Sequence, residues 1–282
     1  REKLMFWNKD LIQDIVDRAL KEDFGTGGDI TSGNLLSAQH QSKGIILAKQ
    51  KGVIAGLKVA AMVFESCNNE LIFKPLLQDG DMIEPGDKIA EVEGVTRDIL
   101  KGERTALNFL QRLSGIATNT KKYVDKVKNY PVRITDTRKT TPTLRVLEKY
   151  AVKVGGGYNH RMGLFDAVLI KDNHIQAAGG IKKAINTIRT QIPHTTKIEI
   201  EVENMPGVKK ALTAEADIIM LDNMELKQME KAVAYIDKKA LVEASGGITL
   251  RTINEIAATG VDVISVGALT HQIRSLDISL NL

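Results

Sequence analysis

The chain has 282 residues, of which 43% are hydrophobic and 26% charged, with a formal net charge of +4. That length and composition fit a globular fold with a sizeable core, as one large α/β barrel or a barrel plus a smaller domain. The 4% aromatic content argues against base-stacking platforms for nucleic acid, and the small net charge means that any basic partner surface is local. No stretch approaches the ~18 consecutive apolar residues of a membrane span, and the first ten residues are charged without a secretory apolar core, so a cytoplasmic protein is expected.

In chain order, Leu11, Ile12, Ile15, Val16, Ala19 and Leu20 recur at helical spacing and predict an amphipathic helix over 9–22. Gly25-Thr26-Gly27-Gly28-Asp29 stops it. This loop lacks a following Lys-Ser/Thr and is preceded by a helix, so it reads as a helix end and not a phosphate loop. Gly44–Ala48 and Val53–Ala55 read as strands, and 57–67 as a helix ending at Cys67. Cys67 is the only cysteine; it excludes an intrachain disulfide, suggests a reducing compartment, and reads as structural. Leu71–Phe73 and Ile89–Val92 are short strands beside the turns Asp79-Gly80-Asp81 and Pro85-Gly86-Asp87. A long helix is expected over 101–128, with Ala106, Leu107, Leu110 and Leu113 on one face and a break or kink at Gly115.

After Tyr130-Pro131 the texture changes. Apolar runs at 132–135, 167–170, 197–202, 218–221, 241–244 and 261–266 alternate with helical segments near 143–152, 181–191, 208–214, 224–236 and 250–258. Such alternation implies parallel βαβ units, in a doubly wound sheet or a compact barrel. Every strand ends in a polar or glycine cluster. An open sheet concentrates its ligand groups at one switch point, whereas a barrel gathers all strand ends on one rim, so the barrel is favoured. The last dozen residues fit no further unit and are expected to pack on the N-terminal module. The expected fold is therefore α/β: an N-terminal α/β sandwich domain over 1–112, joined by the tail 271–282, and an incomplete barrel of about six parallel strands over 113–270.

Three groups of residues carry chemistry. Ser245-Gly246-Gly247 and Ser265-Val266-Gly267-Ala268 follow the last two strands. Small residues there let backbone N–H groups approach a phosphate, where the other reading is a pair of tight turns. Glu201 and Asp222 end adjacent strands. Facing a cationic rim, they can hold Mg²⁺, bind ribose hydroxyls, stabilise an oxocarbenium centre, or simply pair with a rim lysine or arginine. Glu199 shares the parity of Glu201 one step deeper and reads as a supporting residue. Arg138, Lys139, Arg161 and Lys171 form the strongest signal, since forks suit carboxylates and ammoniums suit phosphates. His160 in the adjacent loop is a candidate donor to a carboxylate. His174 and His271 lack metal-ligand spacing and read as structural, so no zinc site is supported. Lys171 on a barrel strand also admits a Schiff-base role if burial lowers its pKa.

At these residues the chain resembles the quinolinate phosphoribosyltransferase family. The likeness runs through Gly102–Asn108, Leu113–Thr118, Asp136-Thr137-Arg138-Lys139-Thr140-Thr141-Pro142 and Asn159-His160-Arg161. It continues through Ile170–His174, Glu199–Val202, Leu221-Asp222-Asn223, Glu243–Gly247 and Ser265–Ala268. The resemblance implies an N-terminal α/β sandwich plus an incomplete barrel, acting as a homodimer. It implies conversion of quinolinate and phosphoribosyl pyrophosphate to nicotinate mononucleotide, pyrophosphate and CO₂ with Mg²⁺. By the same resemblance Thr137, Arg138, His160, Arg161 and Lys171 hold quinolinate, and Lys139 meets phosphate. Glu201 and Asp222 serve the ribose and metal region, with Lys139, Lys171, Glu201 and Asp222 as the catalytic set. Ser245, Gly246, Gly247, Val266, Gly267 and Ala268 would cradle the 5′-phosphate, and Arg104 would come from the neighbouring subunit. A relative acting on nicotinate or belonging to a molybdenum operon, and a Schiff-base lyase through Lys171, are the alternatives.

Overall fold

The structure, a computed structural model, describes residues 8–282. It divides into two compact units. The first holds the described residues up to Lys121 together with Thr140–Gly156 and Gln272–Leu282; the second holds Lys122–Lys139 and Gly157–His271. The chain passes between the units more often than a single boundary at 112/113 describes.

In the first unit, α1 (Lys9–Phe24) starts at Asn8, whose side chain accepts from the N–H groups of Asp10 and Leu11. Its buried face is Ile12, Ile15, Val16 and Leu20, and Gly25 ends it at φ 50°. A short helix that the periodicity did not suggest, α2 (Ile30–Leu35), is capped by Asp29 accepting from Ser32 N–H. It is too short to show a helical repeat, but Asp29 is a standard N-cap residue. Strands β1 (Gln41–Ala48), β2 (Gly52–Val53), β3 (Ile72–Pro75), β4 (Met82–Ile83) and β5 (Lys88–Val95) follow, with α3 (Leu57–Cys67) after β2. β2 and β4 pair as a two-stranded ribbon, while β1, β3 and β5 join a four-stranded antiparallel sheet. α3 buries Val59, Ala60, Val63 and Phe64, and Phe64 stacks on Phe73 of β3 with ring centroids 5.7 Å apart.

The long helix α4 runs from Thr96 to Lys126 as 31 continuous residues. The break expected at Gly115 is absent. A β-carbon there would collide with the main-chain carbonyl of Arg274, so this glycine serves a close backbone approach. The chain end is tied to the same helix: Leu276 N–H donates to the Gln111 carbonyl at 2.9 Å, and Gln111 Nε2 to the Ile278 carbonyl at 2.8 Å. β12 (Ile278–Asn281) then completes the four-stranded sheet, antiparallel to β1. α5 (Arg145–Val154) also belongs to this unit.

The second unit carries β6 (Arg133–Thr135), β7 (Val168–Ile170), β8 (Ile198–Val202), β9 (Ile218–Asp222), β10 (Leu241–Ser245) and β11 (Val263–Ser265). Its helices are α6 (Asp172–Ala178), α7 (Ile181–Arg189), α8 (Met205–Thr213), α9 (Leu226–Ile236), α10 (Ile253–Ala258) and α11 (Ala268–His271). The six strands form one parallel sheet in the order β6-β11-β10-β9-β8-β7. From β7 to β11, strands adjacent in sequence are adjacent in space, and the last returns to pair with β6, the first. That return distinguishes a barrel from a doubly wound sheet, and only the β6–β7 pairing is missing from a closed ring. At that seam Thr135 bridges Tyr158 instead, with Tyr158 N–H donating to the Ile134 carbonyl at 2.8 Å. The helix α5, which would cross from β6 to β7 in a regular barrel, is counted with the first unit.

Candidate active site

Parallel strands put all their carboxyl ends on one rim, and the six polar strand ends meet there. Lys171 follows β7, and its N–H donates to His174 Nδ1 at 3.0 Å, which gives His174 a capping role. Lys171 Nζ lies 2.5 Å from Glu201 Oε2 on β8. A Schiff-base nucleophile needs a desolvated, uncharged amine. The Lys171 side chain is 46% exposed and ion-paired, which does not suit that alternative.

Asp222 ends β9, and its Oδ2 accepts from Asn223 Nδ2 at 2.8 Å. Asn223 is left-handed at φ 52° and donates its N–H to the Ser245 carbonyl at 3.0 Å. Its side chain occupies the space where a β-carbon on Gly246 would stand, and Gly246 itself has φ 90°. Both facts require glycine there, which leaves the loop's peptide groups unscreened by side chains.

The second glycine loop is lined differently. Lys139 Cδ lies 3.1 Å, and His271 Nε2 3.2 Å, from where a β-carbon on Gly267 would be. The Lys139 main chain is fixed by Thr270 Oγ1, which donates to its carbonyl at 2.7 Å, and by Thr137 Oγ1, which accepts its N–H at 3.0 Å. The lysine arm therefore runs along the loop read as a phosphate cradle, and His271 joins it there. No sequence spacing ties residue 139 to 267 or 271; only the pairing of β6 with β11 does.

Arg161 is partly buried, and its guanidinium pKa is lowered by burial first and by the nearby Arg138 second, with Glu199 and Asp166 opposing. Arg161 Nη1 donates to the Ala167 carbonyl at 3.2 Å. The loop is shaped by acids that the sequence reading assigned no role. Asp136, fully buried at the end of β6, accepts from Asn159 Nδ2 at 2.6 Å and from His160 N–H at 2.9 Å. Asp166 accepts from the N–H groups of Met162 at 2.7 Å and Gly163 at 2.9 Å.

His160 sits over two buried acids. Its Nε2 lies 3.1 Å from Glu199 Oε2 and 3.5 Å from Glu243 Oε1, while its Nδ1 accepts Arg161 N–H at 2.8 Å. Glu199 and Glu243 are each 3% exposed. Burial first, and the neighbouring Glu199 carboxylate second, push the Glu243 carboxyl up to about 7, against the opposing effect of His160. Both imidazole nitrogens thus have protein partners in the structure. Glu243 gave a signal that went unused: it is an acid on the same strand parity as Ser245, as Glu199 is to Glu201.

In the first unit, the buried Glu148 accepts from Arg112 Nε at 3.0 Å and Nη2 at 2.6 Å, and from Thr141 N–H at 3.2 Å. This pair, which sequence reasoning also missed, holds the start of the segment that follows Lys139. Arg104 is exposed on α4 of the first unit.

Two rim carboxylates fit a divalent cation that arrives with a phosphate ligand, since Mg²⁺ commonly takes one or two carboxylates and keeps substrate oxygens and water. Glu201 is already paired with Lys171, whereas Asp222 accepts only from a neutral amide in the hydrogen bonds above. Among the described residues the one three-residue group close enough to share an ion is His160, Glu199 and Glu243, with ligand atoms within 4.8 Å of one another. No helix among the described residues is long and apolar enough to cross a membrane.

Two family models match in tandem: the quinolinate phosphoribosyl transferase N-terminal domain over 29–114 and its C-terminal domain over 116–281. A Synechocystis protein named "Probable nicotinate-nucleotide pyrophosphorylase [carboxylating]" is 45% identical over 266 residues, 93% of this chain and 90% of the relative. "Quinolinate phosphoribosyltransferase [decarboxylating] 1b" of Nicotiana tabacum is 40% identical over 289 residues, 96% of this chain and 82% of the relative. The crystal structure of NadC from Streptococcus pyogenes superposes with a TM-score of 0.94 at 42% identity, covering 98% of this chain and 97% of that one. Sequence, fold and both domains agree, and the chain belongs to the quinolinate phosphoribosyl transferase family.

Proposed function

We propose that this chain transfers the phosphoribosyl group of phosphoribosyl pyrophosphate to quinolinate with decarboxylation, giving nicotinate mononucleotide, pyrophosphate and CO₂ in de novo NAD synthesis. Beyond the family membership, one observation carries the reading: two guanidiniums, Arg138 and Arg161, are close enough for one to lower the other's pKa. Arg161 is partly buried, Arg138 is exposed on the loop after β6, and like charges brought near each other are costly, a cost that a dianion offsets. A pyridine bearing two neighbouring carboxylates supplies two negative charges on one rigid plane, suited to planar forks.

The ring nitrogen attacks C1 of the ribose as the C–O bond to pyrophosphate breaks and its electron pair leaves with the pyrophosphate. Positive charge develops at C1, and Glu201, held on the rim by Lys171, offsets it. Lys139 and the two glycine loops take phosphate oxygens. Mg²⁺, when bound, neutralises charge on the departing pyrophosphate, and Asp222 is the residue that would hold it. The C2 carboxylate then leaves as CO₂; its bond pair stays on the ring carbon beside the quaternary nitrogen and is protonated there. Arg104 is read as completing the site from the partner subunit of a homodimer.

The test is release of labelled CO₂ from carboxyl-labelled quinolinate. Release should require both phosphoribosyl pyrophosphate and Mg²⁺. Turnover of nicotinate without any CO₂ from quinolinate would overturn the assignment and favour the non-decarboxylating relative.

A further inference from the structure

Glu199 and Glu243 are buried carboxylates that no step above uses. Each lies two residues before a rim residue on its strand, Glu201 on β8 and Ser245 on β10. Burying two acids side by side is costly unless they are hydrogen-bonded and one carries a proton. In the fold they share one neighbour, the side chain of His160, at 3.1 Å and 3.5 Å from its Nε2, with Ser265 also acting on Glu243.

The other ring nitrogen shows what this arrangement does. Nδ1 accepts the main-chain N–H of Arg161 at 2.8 Å, so Nδ1 carries no proton and Nε2 must carry it. The imidazole is held as one tautomer with its N–H pointing down at the acids and its lone pair pointing at the peptide of Arg161. Asp136 fixes the preceding peptide by accepting His160 N–H at 2.9 Å. The main chain at Arg161 is thereby clamped on both sides, and the guanidinium that it carries is aimed by its own tie to the Ala167 carbonyl at 3.2 Å.

We propose that Glu199 and Glu243 are positioning residues for the transfer reaction: acting through His160, they hold the Arg161 peptide so that its guanidinium meets the substrate carboxylate. In this arrangement His160 is a relay between the sheet and the loop. The inference rests on the quinolinate reading of the site. If quinolinate is not turned over at all, that reading fails; if it is turned over but the variants below behave otherwise, only this proposal fails.

Two measurements on the full-length enzyme test it. In Glu199→Ala the KM for quinolinate should rise at least tenfold while the KM for phosphoribosyl pyrophosphate stays within about twofold. Glu199→Gln, which keeps an acceptor for Nε2–H, should stay within about threefold of wild type for both. An equal rise in both KM values, or an unchanged quinolinate KM in a folded Glu199→Ala enzyme, would overturn the proposal. The second measurement does not depend on a variant folding. Selective ¹⁵N-histidine labelling of the wild-type enzyme, with His160→Gln to identify the signal, should show His160 as the neutral Nε2–H tautomer at pH 7. An imidazolium or an Nδ1–H tautomer contradicts the clamp. Stoichiometric binding of Mn²⁺ or Zn²⁺ by the purified enzyme, abolished by Glu243→Gln, would instead assign the three residues to a metal.

Discussion

Most rim residues were legible one at a time because they break the pattern of their surroundings: a lysine, an acid or a glycine where a strand of Val, Ile and Leu ends. Their partners were not, because residue type says nothing about what a side chain meets across a sheet. Glu243 shows the difference. Its place on the sequence pattern was visible, but its burial against Glu199 and under His160 exists only once β8 and β10 are in one sheet. A carboxyl raised in the folded state from 4.5 to about 7, chiefly by burial, contributes stability that is complete below pH 4.5 and lost as pH rises through about 7. Glu243→Gln should remove that contribution. The melting-temperature difference between wild type and variant should therefore shrink or reverse across this window, as a thermal scan at each pH would show. On the rim, Arg161→Lys keeps the charge and loses the fork. A charge-assisted hydrogen bond is worth ~1.5–3 kcal/mol, so quinolinate kcat/KM should fall by about tenfold to a hundredfold. An unchanged value would remove Arg161 from the site.

At the scale of elements, periodicity located the strands of the second unit and most helices, and boundaries moved by a few residues. It failed where a residue's reason lies outside its own element. Gly115 reads as a helix breaker on propensity, yet α4 is continuous and the glycine makes room for the main chain at Arg274. Gly115→Ala should accordingly lower the melting temperature, in spite of alanine's better helix propensity. Overpacking of this kind costs ~1–3 kcal/mol, and a rise in melting temperature would show that the approach is not close in solution. α2 and α6 are too short for a hydrophobic repeat to show. β12 became legible only through its pairing with β1. Removing residues 277–282 should strip one edge from the four-stranded sheet and lower the melting temperature, whereas a fraying tail would be lost without effect.

At the scale of the whole molecule, the parallel sheet was predictable from alternation alone, and its barrel order from polar groups at every strand end. What the spacing of one chain could not supply is whether Arg104 reaches a site in a second copy, as proposed above, since symmetry between subunits leaves no mark on a single sequence. Mixing Arg104→Ala and Lys171→Ala chains tests this directly. If sites are shared, the mixture should regain up to about a quarter of wild-type activity, because random pairing gives half mixed dimers with one intact site each. Activity no greater than that of the separate variants would place Arg104 outside the partner's site.

The seam between β6 and β7 adds one consequence. A closed ring would spend those strand edges on each other; here Tyr158 bridges Thr135 of β6, and the next three residues are Asn159, His160 and Arg161. The segment that pairs with β6 is continuous with Arg161, the residue proposed above to meet the ligand's carboxylate. Binding and ring closure are then thermodynamically linked, because a ligand that favours the ordered loop also favours the zipped seam. Saturating quinolinate should slow amide hydrogen exchange at Tyr158 and Asp136, both donors across the seam, more than at the interior strands β9 and β10. Substrate would act as the missing staple of the barrel.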